Sequence, residues 1–254
     1  MGGTIIKEAP AEKFDITGAI AAEGEPGVGK SLKELGLAGS DVVVQPPAEM
    51  EQLLARSDVC ISFTSAAAEL SNIPTIEESH CSLVLGTTGF TEPQEKWVVE
   101  TLTGRVPTVM TSNFSIGANV LFAMTSSLKR LPSNFDLSIL EMHHSGKADA
   151  PSGTAKTLAN IISSSRGYSK TVSGRQGISK RQAGELEVVS LRGGGLPGEH
   201  AVFAFGPYET IKLEHTVFSR STFSQGALMA AGWIADPKRE KRVYSMLDVL
   251  GFSP

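Results

Sequence analysis

From Phe14 onward, short apolar runs alternate with segments of helical spacing. Residues 16–21, 42–45, 59–63, 83–85 and 108–110 are strand-like, each bounded by turn-forming or charged residues. Between them, 48–56 and 69–79 carry helical periodicity, and a further helix holds Trp97 and Val98, both read as core. Strand and helix in strict alternation predict a parallel sheet covered by helices. Residues 1–9 read as a helix entered abruptly, with no strand and no glycine turn ahead of it.

The pattern changes in the second half. Residues 116–131 predict a long helix with Leu121, Met124 and Leu128 on one face, 137–142 a buried strand, and 155–162 a helix. Strand candidates 186–191, 201–205 and 211–217 then follow without helices between them, joined by Arg192-Gly-Gly-Gly195 and Gly206-Pro207. Consecutive strands imply a mixed or antiparallel sheet. The predicted fold class is therefore α/β: a Rossmann-like parallel-sheet domain plus an α+β domain with a mixed sheet. Residues 223–234 are helical again, and 243–250 form a last amphipathic segment.

Composition narrows the function. The chain has 254 residues, enough for two modest domains, and 41% hydrophobic with 20% charged residues is the balance of an ordinary globular protein. A net charge of -4 gives no electrostatic case for nucleic acid or an anionic membrane. No apolar run reaches the roughly 20 residues needed to span a bilayer. Cys60 and Cys81 read as buried free thiols of a cytoplasmic protein. The run 175–181 is basic and reads as a solvated loop.

Chemistry concentrates at residues 141–156, EMHHSGKADAPSGTAK. His143 and His144 end a strand, Lys147 follows a Ser-Gly turn, and Ser152 stands as N-cap of a helix opened by Gly153 and Thr154. An imidazole, an ammonium and free helix N–H groups within so few residues suit acid–base work on a carboxylate-bearing substrate. Adjacent histidines on a strand point to opposite faces, which makes a shared metal ion a poor reading, and no metal is expected. The turn Gly86-Thr87-Thr88-Gly89 ends a buried strand, where open α/β sheets bind ligands, although a plain glycine turn fits as well.

Glu141-x-His-His144, Lys147 and Asp149-Ala-Pro-Ser-Gly-Thr-Ala155, with residues 86–90, 113–117 and 198–200, resemble the dihydrodipicolinate reductase family over nearly the whole chain. The resemblance implies NADH- or NADPH-dependent reduction of a cyclic dicarboxylate, 4-hydroxy-tetrahydrodipicolinate, in lysine and diaminopimelate synthesis. It implies His143 as proton donor, Lys147 as its cationic assistant, and His144, Ser152, Gly153 and Thr154 as the substrate's carboxylate grip. For the cofactor it implies Gly86, Thr87 and Thr88 at the nicotinamide and Thr111, Ser112, Asn113 and Phe114 against the dinucleotide. Met1 and Gly2 match the end of the family's glycine turn, so the resemblance implies a chain lacking the first strand and most of that turn. Glu23 would read the ribose, but stands one position after the family's Glu, where this chain has Ala22; the choice between NADH and NADPH stays open. Residues 1–114 and 220–254 would hold the cofactor and 115–219 the substrate. The latter's sheet would build a homotetramer, and the two domains would close at a hinge, near which Arg220 resembles a family arginine.

Two rivals remain at this stage. Gly24 to Ser31 satisfies the phosphate-loop pattern G-x-x-x-x-G-K-S, but Gly36 and Gly39 interrupt the helix such a loop needs, and a flexible surface loop near the cofactor edge is the preferred reading. A catalytically silent binding or scaffold paralogue is the other.

Overall fold

A computed structural model describes residues 1–79 and 81–252. The chain forms two compact units, Met1–Phe114 with the segment from Phe223 onward, and Ser115–Thr222. The cofactor segment expected over 220–254 thus ends with two residues that lie outside the described ones.

The first unit opens with α1 (Gly2–Glu8), then β1 (Ala19–Ile20) and β2 (Val44–Gln45), which pair in parallel. α2 (Met50–Leu54), β3 (Val59–Ser62), α3 (Ala66–Glu78), β4 (Ser82–Leu85), α4 (Glu92–Leu102) and β5 (Thr108–Met110) follow. β3, β4 and β5 are adjacent and parallel. In β4, Leu83 and Leu85 pack with Ile73, Ile76, Val98 and Leu102, while Val84 packs with Val109, Phe114, Ala227 and Ile234. A strand covered on both faces needs apolar residues at every position, which is why it reads as an unbroken run.

The second unit begins with α5 (Ile116–Ser127), β6 (Asp136–His143), α6 (Gly153–Arg166), β7 (Lys170–Val172), β8 (Glu185–Arg192), β9 (Gly198–Phe205) and β10 (Thr210–Val217). Its five strands lie in the order β10-β9-β6-β8-β7, with β6 antiparallel to β9 and parallel to β8. Leu137 and Ile139 of β6 join Leu121, Phe122, Leu158 and Ile162 of the helices in one core. The chain then enters α7 (Ser221–Ile234) and returns to the first unit, where β11 (Val243–Tyr244) pairs in parallel with β5 and α8 (Met246–Val249) follows.

Several expectations need correction. Trp97 is 41% exposed whereas its neighbour Val98 is fully buried. Likewise Met124 is 47% exposed; the inward face of α5 runs instead through Ala118, Leu121, Phe122 and Thr125, an equally good helical spacing. Segment 243–250 is a two-residue strand and one helical turn, because Ser245 and Asp248 form a capping box that starts a helix at Met246. The first strand is cut from 16–21 to two residues, and the edge strand β7, with two of its three residues exposed, carries no alternation that the sequence could announce.

The basic run is not simply solvated. Arg175 bridges Glu185 and Glu187, and Arg181 donates to the carbonyls of Leu137 and Glu185 and pairs with Asp136. Nor is the 24–31 stretch a loose loop: Gly29 N–H donates to Val44 O, Val44 N–H to Lys30 O, and Leu32 is fully buried beside Ala19 and Val44. Turns and a bridge, not a helix, follow Lys30.

Candidate active site

β6 carries its core-facing side past Leu137 and Ile139 into Glu141 and His143, so two titratable groups occupy positions that a purely structural strand would fill with hydrocarbon. Glu141 is fully buried. Both its oxygens are taken by Arg192, Nη1 to Oε2 at 3.0 Å and Nη2 to Oε1 at 2.8 Å, and the backbone N–H of Ser152 donates to Oε1 at 3.2 Å. His143 Nδ1 lies 2.5 Å from Oε2. Burial alone would raise the Glu141 carboxyl, but donors from Arg192, Ser190, His143 and Ser152 outweigh it and bring it to about 2. The carboxylate therefore accepts from Nδ1–H and leaves Nε2 as the His143 nitrogen not committed to it. Burial lowers the His143 pKa from its ordinary value, against the pull of Glu141.

Gly198 lies beside that ring because β9 runs antiparallel to β6; a Cβ there would stand 3.0 Å from His143 Nε2. His200, the register partner of Glu141, packs edge-on against His143 at 5.1 Å between centroids. Its Nε2 is 2.9 Å from Ser152 Oγ, and its buried Nδ1 has no partner among the described residues. Burial first, then the neighbouring His143, push His200 down to about 4, so it stays neutral at pH 7. Glu141, His143 and His200 hold their ligating atoms close together. A cation there would face a guanidinium already seated on the only carboxylate, a repulsive arrangement.

Around this buried centre stand the remaining residues expected at the substrate. Ser152 caps α6, accepting from Ala155 N–H at 3.2 Å, which leaves the Gly153 end of the helix exposed as an anion-attracting terminus. Thr154 is half-buried in the same turn. Lys147 reaches Asp149 Oδ1 at 2.6 Å. His144 leaves the strand on the opposite side, its N–H bonded to Leu196 O, and is half-buried. Glu141, His143, His200 and Ser152 are thus directly linked, with Arg192 reaching on to Asp149 O.

In the first unit, the adjacent strands β3, β4 and β5 bring the turns after residues 62, 85 and 110 side by side at their carboxyl ends, the usual ligand edge of such a sheet. Gly86 is required there, since a Cβ would come within 2.1 Å of the Phe63 ring. Thr87 is buried with its hydroxyl spent on Glu69 at 2.6 Å, while Thr88 and Ser112 are exposed. Thr111 Oγ1 accepts from Asn113 N–H at 3.2 Å. Phe114 is in the core, its ring 5.4 Å from that of Phe63. Met1 caps α1 with its carbonyl, Gly2 begins that helix, and Glu23 is exposed three residues past β1. An open turn whose Gly86, Thr88 and Gly89 are accessible, beside the buried Glu69 carboxyl with one oxygen unpartnered among the described residues, fits a dinucleotide end.

Comparison with known proteins agrees along the chain. Residues 1–114 match the family described as dihydrodipicolinate reductase, N-terminus, and residues 117–250 its C-terminus. The chain belongs to the dihydrodipicolinate reductase family. Among its relatives, the 4-hydroxy-tetrahydrodipicolinate reductase of Methanoculleus marisnigri is 36% identical over 98% of this chain and 93% of that one. That of Methanocaldococcus jannaschii is 35% identical over 100% and 94%. Among solved structures, a dipicolinate-bound dihydrodipicolinate reductase from Paenisporosarcina sp. TG-14 superposes with a TM-score of 0.71 at 22% identity, covering 96% of this chain and 94% of that one. An amine dehydrogenase from Mycobacterium smegmatis shares the fold with a TM-score of 0.65 at 13% identity, over 96% and 92%.

In the sequence Arg192 stands only in a linker and His200 only in a family motif. The signal was a charged residue closing an apolar strand run, and a second His facing the first only once the antiparallel register is known. Glu69 carried no signal, because a Glu near a helix start is ordinary.

Proposed function

We propose that this chain reduces 4-hydroxy-tetrahydrodipicolinate to tetrahydrodipicolinate with NADH or NADPH, in lysine and diaminopimelate biosynthesis. Residues 1–114 and 220–254 would hold the cofactor and 115–219 the substrate. The observation that carries the reading is the buried Glu141–His143 pair set beside the capped start of α6.

The overall change removes the ring hydroxyl as water and adds one hydride and one proton to the ring. A reduced nicotinamide, when bound, supplies the hydride. Gly86, Thr88 and Ser112 would bind its end of the dinucleotide through backbone and exposed polar atoms, with Asn113 at the carboxamide, and Met1, Gly2 and Glu23 toward the other end.

His143 delivers the proton from Nε2, since Nδ1 is committed to Glu141. A pKa below the ordinary value makes the imidazolium a stronger acid, suited to quick proton release. Lys147 offsets negative charge developing on the ring and supports reprotonation of His143. The substrate's two carboxylates take the Gly153 and Thr154 N–H groups with Ser152 beside them, and His144. The dipole of a helix start favours such an anion by about 0.3–1 kcal/mol.

A homotetramer is part of this reading. The open side of the second unit's sheet carries Leu191 and Phe205, at 48% and 42% exposure, with Phe203 stacked on Phe205. Apolar residues on an uncovered sheet face are what association would bury. A cytoplasmic location is supported by Cys60 and Cys81, which are free, burial raising both thiols. Among the described residues no helix is long and apolar enough to cross a membrane.

The test is consumption of NADH or NADPH by the purified chain, dependent on 4-hydroxy-tetrahydrodipicolinate, for wild type, His143→Ala and Lys147→Ala. We expect turnover by wild type and a loss of about 100-fold or more in each variant. Near-normal turnover in both variants would refute the assignment.

A further inference from the structure

Glu69 lies in the first turn of α3, is fully buried, and has no part in the chemistry above. Its Oε2 accepts three hydroxyl hydrogen bonds: from Ser62 at 2.7 Å, Thr64 at 2.8 Å and Thr87 at 2.6 Å. Ser62 is the last residue of β3, Thr64 lies two residues beyond it, and Thr87 lies two residues beyond β4. One carboxyl group therefore ties together the carboxyl ends of two adjacent parallel strands. Thr87 Oγ1 closes the arrangement by accepting the Thr64 N–H at 2.9 Å. The other oxygen, Oε1, is buried with no partner among the described residues.

Burying a carboxyl with one oxygen unsatisfied costs stability that a leucine at the same place would not. Helix α3 does not need it, since Ser65 already caps that helix by accepting from Ala68 N–H. What the group does fix is the course of the 86–89 turn. Thr87 is drawn inward, Gly86 before it stays half-buried, and Thr88 and Gly89 after it are exposed. The Phe63 ring, one residue before Thr64, fills the space beside Gly86 and sets its other side.

We propose that Glu69 is a positioning residue for the dinucleotide: through Thr87 and Thr64 it fixes the 86–89 turn in the form that receives the nicotinamide end. The inference rests on the cofactor reading of the first unit. It assigns Thr87 an inward structural task and leaves contact with the cofactor to its neighbours. In Glu69→Gln one oxygen becomes an NH2 donor: placed at Oε1 it is buried with no acceptor among the described residues, and placed at Oε2 it removes the acceptor of all three hydroxyls, so either orientation disturbs the tie to Thr64 and Thr87.

The experiment is titration of NADH and NADPH, by nucleotide fluorescence, into wild type, Glu69→Gln, Thr87→Val and the double variant, with a thermal melt of each. Each single substitution should raise the dinucleotide Kd about tenfold, the effect of one buried hydrogen bond to a charged or strongly polar group. Because both act through the same contact, the double variant should be no more than about twofold weaker than the weaker single one. Glu69→Gln that melts lower but binds with the wild-type Kd, or effects that multiply in the double variant, overturns the inference and leaves the cofactor reading intact. Should Glu69→Gln not fold, Thr87→Val alone decides: a wild-type Kd in that variant overturns it. Wild type that binds neither nucleotide overturns both.

Discussion

Arg192 closes on Glu141 with two hydrogen bonds, at 3.0 and 2.8 Å, across the parallel pair β6–β8, and this bidentate contact governs the tautomer and acidity of the candidate proton donor. Removing the guanidinium leaves a buried carboxylate with only His143, Ser190 and the Ser152 N–H as donors among the described residues. Arg192→Met should therefore destabilise the chain by roughly 3–5 kcal/mol in urea unfolding. It should also raise the pKa of His143, since an unbalanced carboxylate holds the imidazolium more tightly. A variant as stable as wild type would show that the pair is dispensable.

Acid should weaken the fold in two stages. His200 keeps its proton off until about pH 4, whereas in the unfolded chain it titrates near 6.5. The unfolded state therefore takes up the proton first as pH falls, and stability present above 6.5 is lost toward pH 4, on the order of 3 kcal/mol. Glu141, ordinarily near 4.5 and held at about 2 in the fold, adds a second loss between those values. His200→Asn should shrink the first stage, to which His143 and His215, both lowered by burial, also contribute, and leave the second. Unfolding free energies measured from pH 7 to pH 2 check both; an unchanged first stage in the variant would contradict the assignment.

Gly198→Ala tests whether His143 needs its open neighbour. The new methyl would meet Nε2 at 3.0 Å and Cδ2 at 3.3 Å, so the ring must shift by a few tenths of an ångström. Misplacing a catalytic group on this scale should lower kcat by about 10- to 100-fold, while the melting temperature changes little. Wild-type kcat in this variant would argue that the proton comes from elsewhere.

Arg166 makes a stability prediction away from the chemistry. From the last turn of α6 its guanidinium donates to the carbonyls of Leu128, Leu131, Pro132 and Phe135, tying the end of α5 and the start of β6 to α6. Arg166→Met should cost roughly 2 kcal/mol, since carbonyls that lose a charged donor must find water. Equal stability by urea denaturation would mean that water already serves them.

Much of this was legible in the sequence. The strand ending in His143, Ser152 as a cap and the unbroken run in β4 follow from spacing and turn chemistry alone. What was hidden depends on register and on which of two equivalent helical faces turns inward. Met124 stands three residues from Leu121 and Phe122 four from Ala118, so both choices have helical spacing, and only packing selects the face with Phe122. Glu141 reads as one carboxylate in a polar string until β8 brings Arg192 beside it and β9 brings His200. The 24–31 stretch satisfied a phosphate-loop pattern because glycines, a lysine and a serine also suit a tight turn, and the burial of Leu32 that distinguishes the two lies outside the pattern.

The most direct measurement follows a label rather than a rate. With NADH or NADPH carrying deuterium at the reactive nicotinamide carbon, and 4-hydroxy-tetrahydrodipicolinate as substrate, the tetrahydrodipicolinate formed by wild type should contain one deuterium from the cofactor, and His143→Ala should form it far more slowly with the same label. Product without the label, or labelled product formed equally fast without His143, would contradict the central claim.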